Sequence, residues 1–186
     1  MIIDTNFDFH SDSKGGDPDI YSPTLKKYHQ ILWNKPLPNG KLLELDKKTG
    51  AYIYHKSELG EFFLGSDAIT NSYKHHKSKY WLTKGLEKDI EELYKAGATI
   101  GAYIIFPNKK INGMQTINQV RGINKFIDDR FDLTLHCIKL YYENKESPLY
   151  ITLKIYESFF KLFETFHGYI NFFLLNDLVD DKYNIK

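Results

Sequence analysis

Residues 149–166 read LYITLKIYESFFKLFETF, and this stretch has the clearest periodicity in the chain. Its apolar residues recur at intervals of three and four, which is the spacing that places side chains on one face of an α-helix. The stripe consists of Leu149, Leu153, Tyr156, Phe160 and Phe163, widened by Phe159, Leu162 and Phe166. A stripe this broad and aromatic predicts a helix packed into the protein core, with a dimer interface as the alternative.

Helical patterns extend on both sides of this stretch and fill the C-terminal half of the chain. The predicted helices cover residues of about 117–127, 130–143, 149–166 and 169–179. Glycine and proline interrupt helical patterns, so we expect the breaks at Gly122, Ser147-Pro148 and His167-Gly168. The C-terminal half is therefore predicted to be helical.

Strand patterns lie upstream. Short apolar runs at residues 42–45 and 51–54, separated by a glycine-containing turn, predict a hairpin, and residues 62–64 supply a third strand. Residues 99–106 are β-branched, aromatic and apolar at nearly every position, which predicts a central strand covered on both faces. The expected fold class is α+β, with a small, mostly antiparallel sheet over about residues 41–106 packed against the helical half.

The N-terminal segment, residues 1–21, is rich in glycine, aspartate and proline and is predicted to be loop. Ser22-Pro23 then has the pattern of an N-cap followed by proline at the first helical position, which predicts a helix to about Trp33. No repeat or linker composition divides the chain. We therefore expect one globular domain over residues 1–186.

The composition excludes several classes of protein. The chain has 25 basic and 24 acidic side chains, so it lacks the basic field of a nonspecific nucleic-acid coat. Its longest apolar run is far shorter than the ~20 residues of a membrane span, and no phosphate-binding glycine loop is present. A single cysteine suits a reducing compartment. These observations predict a cytoplasmic protein with no membrane contact and no cofactor.

The candidate chemical centre is residues 128–138, DDRFDLTLHCI. Asp132 and His136 are four residues apart on one helical face, so the carboxylate is expected to hydrogen-bond and orient the imidazole for general acid–base catalysis. Asp129 is expected to cap the helix and Arg130 lies beside it. The alternative is a solvated helix face with an ordinary pair of polar side chains.

Other polar groups are weaker candidates. One group near the N-terminus consists of His10, Asp12, Asp17 and Asp19. Its spacing does not match a calcium-binding loop, so we interpret it as a solvated loop. His75-His76 is interpreted as part of a polar surface connection, since adjacent histidines do not easily ligate one metal ion. Ser66-Asp67 lacks the sequence context of a nucleophile elbow.

The spacing from Arg130 to His136 resembles the motif of HEPN-type ribonucleases, which are helical proteins of bacterial toxin and phage-defence systems. The resemblance covers this helix alone. It implies RNA cleavage without a metal ion, with His136 as the base, Arg130 as the phosphate contact, and a site composed across a homodimer. It therefore names RNA and a second copy of the chain as partners.

Longer strings together resemble an uncharacterised bacterial domain family over nearly the whole chain. They include residues 21–25, 35–38, 99–107, 129–135 and 172–178. This resemblance implies no activity. Two functional hypotheses follow from the sequence. The first is a metal-independent ribonuclease or toxin of a phage-defence system, centred on Arg130, Asp132 and His136. The second is a non-enzymatic binding or regulatory domain that dimerises or docks a partner through its aromatic C-terminal helices.

Overall fold

The computed structural model describes residues 2–47, 53–68, 85 and 87–186. Its strands are β1 (Lys35–Pro36), β2 (Leu42–Leu43), β3 (Asp46–Lys47), β4 (Ile53–Ser57), β5 (Gly60–Ala68) and β6 (Tyr103–Pro107). Its α-helices are α1 (Pro18–Tyr21), α2 (Pro23–Trp33), α3 (Glu87–Gly97), α4 (Ile117–Ile123), α5 (Phe131–Tyr142), α6 (Tyr150–Ile155), α7 (Glu157–Phe160) and α8 (Phe166–Phe172). The strands precede most of the helices, and the predicted α+β class is confirmed.

The main sheet is antiparallel and has the order β3-β4-β5-β6. β1 and β2 pair separately as a short antiparallel ribbon. The third strand predicted at residues 62–64 is confirmed as part of the longer β5. Pairing with β6 sets Ser66 opposite Ile105 and Asp67 opposite Ile104. Two polar residues of β5 therefore lie beside the apolar β6, near the end of the strand pair.

The prediction of a central strand over residues 99–106 is wrong in two respects. Residues Ile100–Ala102 form a 3-10 turn, and β6 begins only at Tyr103. β6 also stands at the end of the order of the described strands. Burial on both faces was nevertheless correctly expected, because every residue of β6 is buried. A continuous apolar run indicates covered faces, which packed helices provide as well as further strands do.

The core of the C-terminal half is built from aromatic rings. Phe159, Phe160, Phe163 and Tyr169 are completely buried. Their rings meet mostly edge to face, with centroids 5.3 Å apart for Phe159 and Phe163 and also for Phe163 and Tyr169. Such contacts add to the stabilisation that the buried area provides. The predicted core stripe is confirmed, and these rings are covered within the chain itself.

The long helix predicted for this stripe is interrupted. It consists of α6, α7 and a 3-10 turn, and Glu164 then adopts a left-handed φ of 61°. The Thr165 hydroxyl accepts a hydrogen bond from the Gly168 N–H at 3.0 Å and so caps α8. The break predicted at residues 167–168 is therefore wrong. Gly168 serves close packing instead, since a Cβ there would lie 2.0 Å from the Phe163 carbonyl oxygen.

The other helical predictions are confirmed in part. The helices expected at residues 117–127 and 130–143 correspond to α4, which is shorter, and α5. Gly122 lies inside α4 and does not break it. The helix expected at residues 169–179 is wrong, because α8 ends at Phe172 and a separate 3-10 turn follows at Asn176–Leu178.

The N-terminal helix is confirmed. The Ser22 hydroxyl accepts a hydrogen bond from the Leu25 N–H at 3.0 Å, and Pro23 occupies the first turn of α2. Tyr28 and Trp33 are buried against the body of the protein. Ser22 itself is buried, so its cap works without competition from water.

The segment before α2 is more ordered than the predicted loop. It contains a 3-10 turn at Phe9–Asp12 and the helix α1. The Asp12 carboxylate ties this segment to α2, since it accepts from the Ser22 hydroxyl at 2.5 Å and from the Thr24 N–H at 3.1 Å. These two bonds fix the segment on both sides of α1, and α1 itself contacts β5 through the Ser66 N–H, which donates to the Asp19 carboxylate.

Some predictions concern residues that the structure does not describe. They are the hairpin turn around residues 48–50 and the histidine pair His75-His76. No helix in the described ranges is long and apolar enough to cross a membrane.

Candidate functional site

The predicted site at the start of α5 is open to solvent. The Arg130 guanidinium binds the Asp132 carboxylate in a bidentate manner, with Nε to Oδ1 at 3.1 Å and Nη2 to Oδ2 at 2.5 Å. These hydrogen bonds hold the pKa of Asp132 below its ordinary value. His136 is exposed, and among the described residues no hydrogen bond joins it to Asp132. The structure thus brings Arg130 and Asp132 together and leaves the imidazole outside the pair.

Asp129 does not cap α5, contrary to the sequence prediction. Asp128 and Asp129 both have left-handed backbones, with φ of 51° and 57°, and the N-cap position falls on Arg130 without a side-chain cap. Consecutive left-handed residues other than glycine are unfavourable and persist only where contacts hold them. Here the Asp129 carboxylate faces inward, and its Oδ1 lies 3.6 Å from Nη2 of Arg121.

Arg121 of α4 is the centre of a buried polar network that the sequence analysis missed. Its side chain is fully buried, and Nη1 donates to the Asp67 carboxylate. Nε donates to the Thr134 hydroxyl at 2.9 Å, and Nη2 donates to the Asp129 carbonyl oxygen at 3.2 Å. A guanidinium is always charged, so it tolerates burial only with partners of this kind. The network joins α4, β5 and α5.

A polar cleft of about 330 Å³ opens beside this network, where α1, the end of β5 and the segment after β6 meet. Its lining includes three carboxylates, three amides and three hydroxyls, from Asp17, Asp19, Asp67, Asn108, Asn118, Gln119, Ser66, Tyr103 and Thr116. Among the residues that the structure describes, no lysine, arginine or histidine lines this cleft. We call it the acidic cleft.

Two carboxyl groups of the acidic cleft have unusual protonation. The Asp19 Oδ1 accepts a hydrogen bond from the Ser66 N–H at 2.6 Å, but burial still raises the pKa of Asp19 to about 6. Burial raises the pKa of Asp67 to about 7, with the Arg121 guanidinium acting in the opposite direction and the Asp129 carboxylate in the same direction. Neighbouring acids that exchange protons near neutral pH are common at functional sites.

Two buried oxygen atoms in the cleft have no partner within hydrogen-bonding geometry among the described residues. They are the Ser66 Oγ and the Asn118 Oδ1, and Ser66 is only 4% exposed. Buried polar atoms are nearly always hydrogen-bonded, so unpaired ones at a cavity wall indicate a place for a ligand. The wall is also closely built, because a Cβ at Gly65 would lie 2.5 Å from the Asn108 amide nitrogen.

The sequence interpretation of Asp19 as part of a solvated loop is wrong, and Ser66-Asp67 lines the cleft without being a nucleophile elbow. Chain-distant segments are joined here by the pairing of β5 with β6 and by the docking of α1. One local signal was available. Asp17-Pro18 has the N-cap and first-turn proline pattern of a helix, and the Asp17 side chain does accept from the Asp19 N–H at 3.0 Å.

A second cavity, of about 470 Å³, lies between β1 and α8. The half-buried Lys35 ammonium sits over the rings of Trp33 and Phe172, at 5.1 Å and 4.8 Å from their centroids. Burial lowers the pKa of Lys35. Prolines and an exposed histidine complete a shallow wall, without buried polar atoms that lack a partner. The acidic cleft is therefore the better candidate site.

Comparison with known proteins gives one match. The model of a family of unknown function, DUF6994, matches residues 3–186, which include the acidic cleft, Arg121 and the predicted site on α5. No curated protein and no solved structure matches the chain. The resemblance to an uncharacterised family is confirmed by this match, and the HEPN resemblance stays a prediction.

Proposed function

The chain belongs to this family of unknown function, and we propose that it is an enzyme that performs general acid–base chemistry on a small polar substrate in the acidic cleft. One observation carries the proposal. The carboxyl groups of Asp19 and Asp67 line one cavity together with two buried oxygens, of Ser66 and Asn118, that have no hydrogen-bond partner in the described part of the chain. A closed structural network would have satisfied those oxygens internally.

The two carboxyl groups supply the proton chemistry. Burial raises the pKa of both groups, and the Asp19 carboxylate raises that of Asp67 further, so near pH 7 Asp67 is able to donate a proton while Asp19 accepts one. The Ser66 N–H and the Arg121 guanidinium fix their positions. The Tyr103 hydroxyl remains protonated, because burial raises its pKa to about 12, and it is available as a donor to substrate. Proton transfer of this kind contributes ~10²–10⁴-fold in rate.

The test is hydrolysis of chromogenic p-nitrophenyl esters, glycosides and phosphates between pH 5 and pH 8, with chelator present. We expect turnover of at least one class by the wild type, and a loss of about 10²-fold or more for Asp67→Asn and for Asp19→Asn. The exposed Asp181, which is not among the lining residues of the cleft, provides the matched control Asp181→Asn. A full rate in Asp67→Asn, or no turnover of any class, would overturn the proposal.

The second candidate is the metal-independent ribonuclease, or toxin of a bacterial defence system, at Arg130, Asp132 and His136. Its support is that all three side chains are accessible to a polymer. RNA cleavage in chelator by wild type, lost in His136→Ala and weakened in Arg130→Ala with a smaller dependence on salt concentration, is the expected result. Cleavage that survives in His136→Ala would refute this site.

The remaining hypothesis from the sequence is a binding domain that dimerises or docks a partner through its aromatic C-terminal helices. The aromatic rings that would have formed its binding surface are not exposed. Phe160, Phe163 and Tyr169 lie inside the chain, and exposed apolar side chains on or beside these helices include Ile151 and Leu174. A concentration-dependent change in mass, abolished by Ile151→Asp, would support a homodimer. A monomer at all concentrations would contradict it.

The single cysteine is buried, and we propose a cytoplasmic location on that ground.

A further inference from the structure

The proposed function leaves the class of ligand open. We infer that the acidic cleft selects a small ligand that carries a protonated amine together with hydroxyl groups. This inference rests on the acidic cleft being the functional site. It is carried by three properties of the lining: its charge, its lack of a metal-binding group, and its unpaired acceptor oxygens.

The charge of the cleft is one-sided. Asp67 faces the carboxylates of Asp19 on α1 and Asp129 before α5, and the Tyr103 hydroxyl on β6. The cation next to it, Arg121, is buried behind the wall and already engaged by Asp67 and Asp129. Because Arg121 presents no free surface to the cavity, it is not available to a bound anion.

The surroundings of Asp19 lead to the same conclusion. The carboxylate of Asp17 adds a further negative charge on the same helix. Lys26 on α2 attracts Asp19 electrostatically, but its ammonium donates to the Ile20 carbonyl oxygen and does not line the cleft. Asp17, Asp19 and Asp67 therefore line the cavity, and the described part of the lining contains no cation. A positively charged ligand is the chemical complement.

An organic cation suits this geometry better than a metal ion does. Among the described residues, no group of three histidine, cysteine, aspartate or glutamate side chains is arranged to hold a metal ion. The carboxylates line a cavity of about 330 Å³, which is large enough for a small molecule. An ammonium group has three N–H donors, so it serves a carboxylate and uncharged oxygen acceptors of the lining at the same time.

The unpaired oxygens require donors as well. The Asn118 Oδ1 is an acceptor, and the Ser66 Oγ has acceptor capacity. The Asn108 and Gln119 side chains lie at the same wall, and the Gln119 Oε1 is already engaged by the Thr116 N–H at 3.2 Å. A hydroxyl group both donates to an unpaired oxygen and accepts from an amide. A hydroxyl-bearing amine therefore matches the lining in two ways: its ammonium pairs with the carboxylates, and its hydroxyl pairs with the unpaired oxygens and the amides.

Binding of a cation has a consequence for protons. The ligand favours the ionised forms of Asp19 and Asp67, whose pKa values burial raises to about 6 and about 7. Binding should therefore release protons between pH 5 and pH 7, and affinity should rise with pH across that range. A neutral ligand held by the same hydrogen bonds would show neither effect.

Three pairs of probes test the inference on the full-length chain. Each pair has a hydroxyl-bearing amine and a neutral counterpart of similar shape: ethanolamine and ethylene glycol, diethanolamine and diethylene glycol, and 4-amino-1-butanol and 1,4-butanediol. Calorimetry at pH 5.5 and pH 7.5, in two buffers of different ionisation enthalpy, gives affinity and proton release. Amide chemical-shift changes at Ser66 and Asp67 report the place of binding.

We expect at least one amine to bind about tenfold or more tightly than its neutral counterpart, more tightly at pH 7.5 than at pH 5.5, and with proton release. Asp19→Asn and Asp67→Asn should each weaken the amine and leave the neutral probe unchanged, whereas Asp181→Asn should affect neither. Equal binding of both members of every pair, or binding by no amine, would overturn the inference. Amine binding without turnover of any substrate would support the inferred ligand class and contradict the proposed enzyme. Hydrolysis that depends on Asp67, with no preference for amines in binding, would support the enzyme and contradict the inferred ligand class.

Discussion

Replacing Arg121 by methionine should be among the most destabilising single changes in this chain. Methionine keeps much of the length of the side chain and removes its charge and all its donors. The Asp67 carboxylate, the Thr134 hydroxyl and the Asp129 carbonyl oxygen then lose the donors that they share. Removing one partner of a buried ion pair typically costs about 3–5 kcal/mol, because it leaves a charge buried and unpaired. We expect a loss in that range at pH 7.5.

The loss should shrink when Asp67 is neutral. In the double variant Arg121→Met with Asp67→Asn, no unpaired charge remains at that position, so the two changes should cost less together than the sum of their separate costs. The assay is chemical denaturation followed by circular dichroism, with the m-value compared between variants. The control is Arg130→Met, which breaks an exposed pair with Asp132 and should cost at most about 1 kcal/mol. A loss below about 1 kcal/mol for Arg121→Met would refute the structural role assigned to this network.

Three further predictions address the core, a helix cap and the protonation of the cleft. Phe160→Ala should cost about 3–5 kcal/mol in denaturant melts, since the ring is fully buried, and a loss below about 1 kcal/mol would contradict its place in the core. Ser22→Ala should cost about 1 kcal/mol through the lost cap of α2, and unchanged amide-exchange protection of α2 would contradict it. Because its pKa is raised, Asp67 contributes stability that is fully present below pH ~4 and is lost as pH rises through about 7. The pKa of buried His29 is lowered to about 3, so its effect has the opposite sign, and stability is lost as pH falls below ~6.5. We therefore expect the unfolding free energy of wild type minus that of Asp67→Asn to be larger at pH 5 than at pH 8, and no change in this difference would refute the raised pKa.

The parts of the fold that were predictable from sequence are those in which a local pattern and the tertiary structure agree. Ser22-Pro23 begins α2 because cap and proline act within one turn of chain. Phe160 and Phe163 are buried because packing into the core removes the apolar stripe from water. The break after Phe163 was missed, since Gly168 is a glycine for close packing and the turn itself falls on Glu164, a residue with no preference for a left-handed backbone.

The candidate site was hidden from sequence for a different reason. Arg121 lies on a short helix of mixed composition, where an arginine usually indicates a solvated face. Its burial depends on Asp67 and Asp129, which are 54 and 8 residues away in the chain. No periodicity connects such residues. The predicted site residues Arg130, Asp132 and His136 form a conspicuous pattern because they lie close together in the sequence. They are accessible because they take no part in the core.

Asp67 has two tasks that ordinarily conflict, since it is an ionic partner of Arg121 and a member of the cleft that exchanges protons. A buried guanidinium left without an anion would be costly, so a proton on Asp67 would be expected to destabilise the fold. Arg121 avoids this outcome because its Nη2 also contacts the carboxylate and the carbonyl oxygen of Asp129, and its Nε retains the Thr134 hydroxyl. When Asp67 takes up a proton, Asp129 remains as the counter-charge, and its left-handed backbone holds it in place. The same reasoning implies that Asp129→Asn should make proton uptake by Asp67 more costly and should lower its pKa.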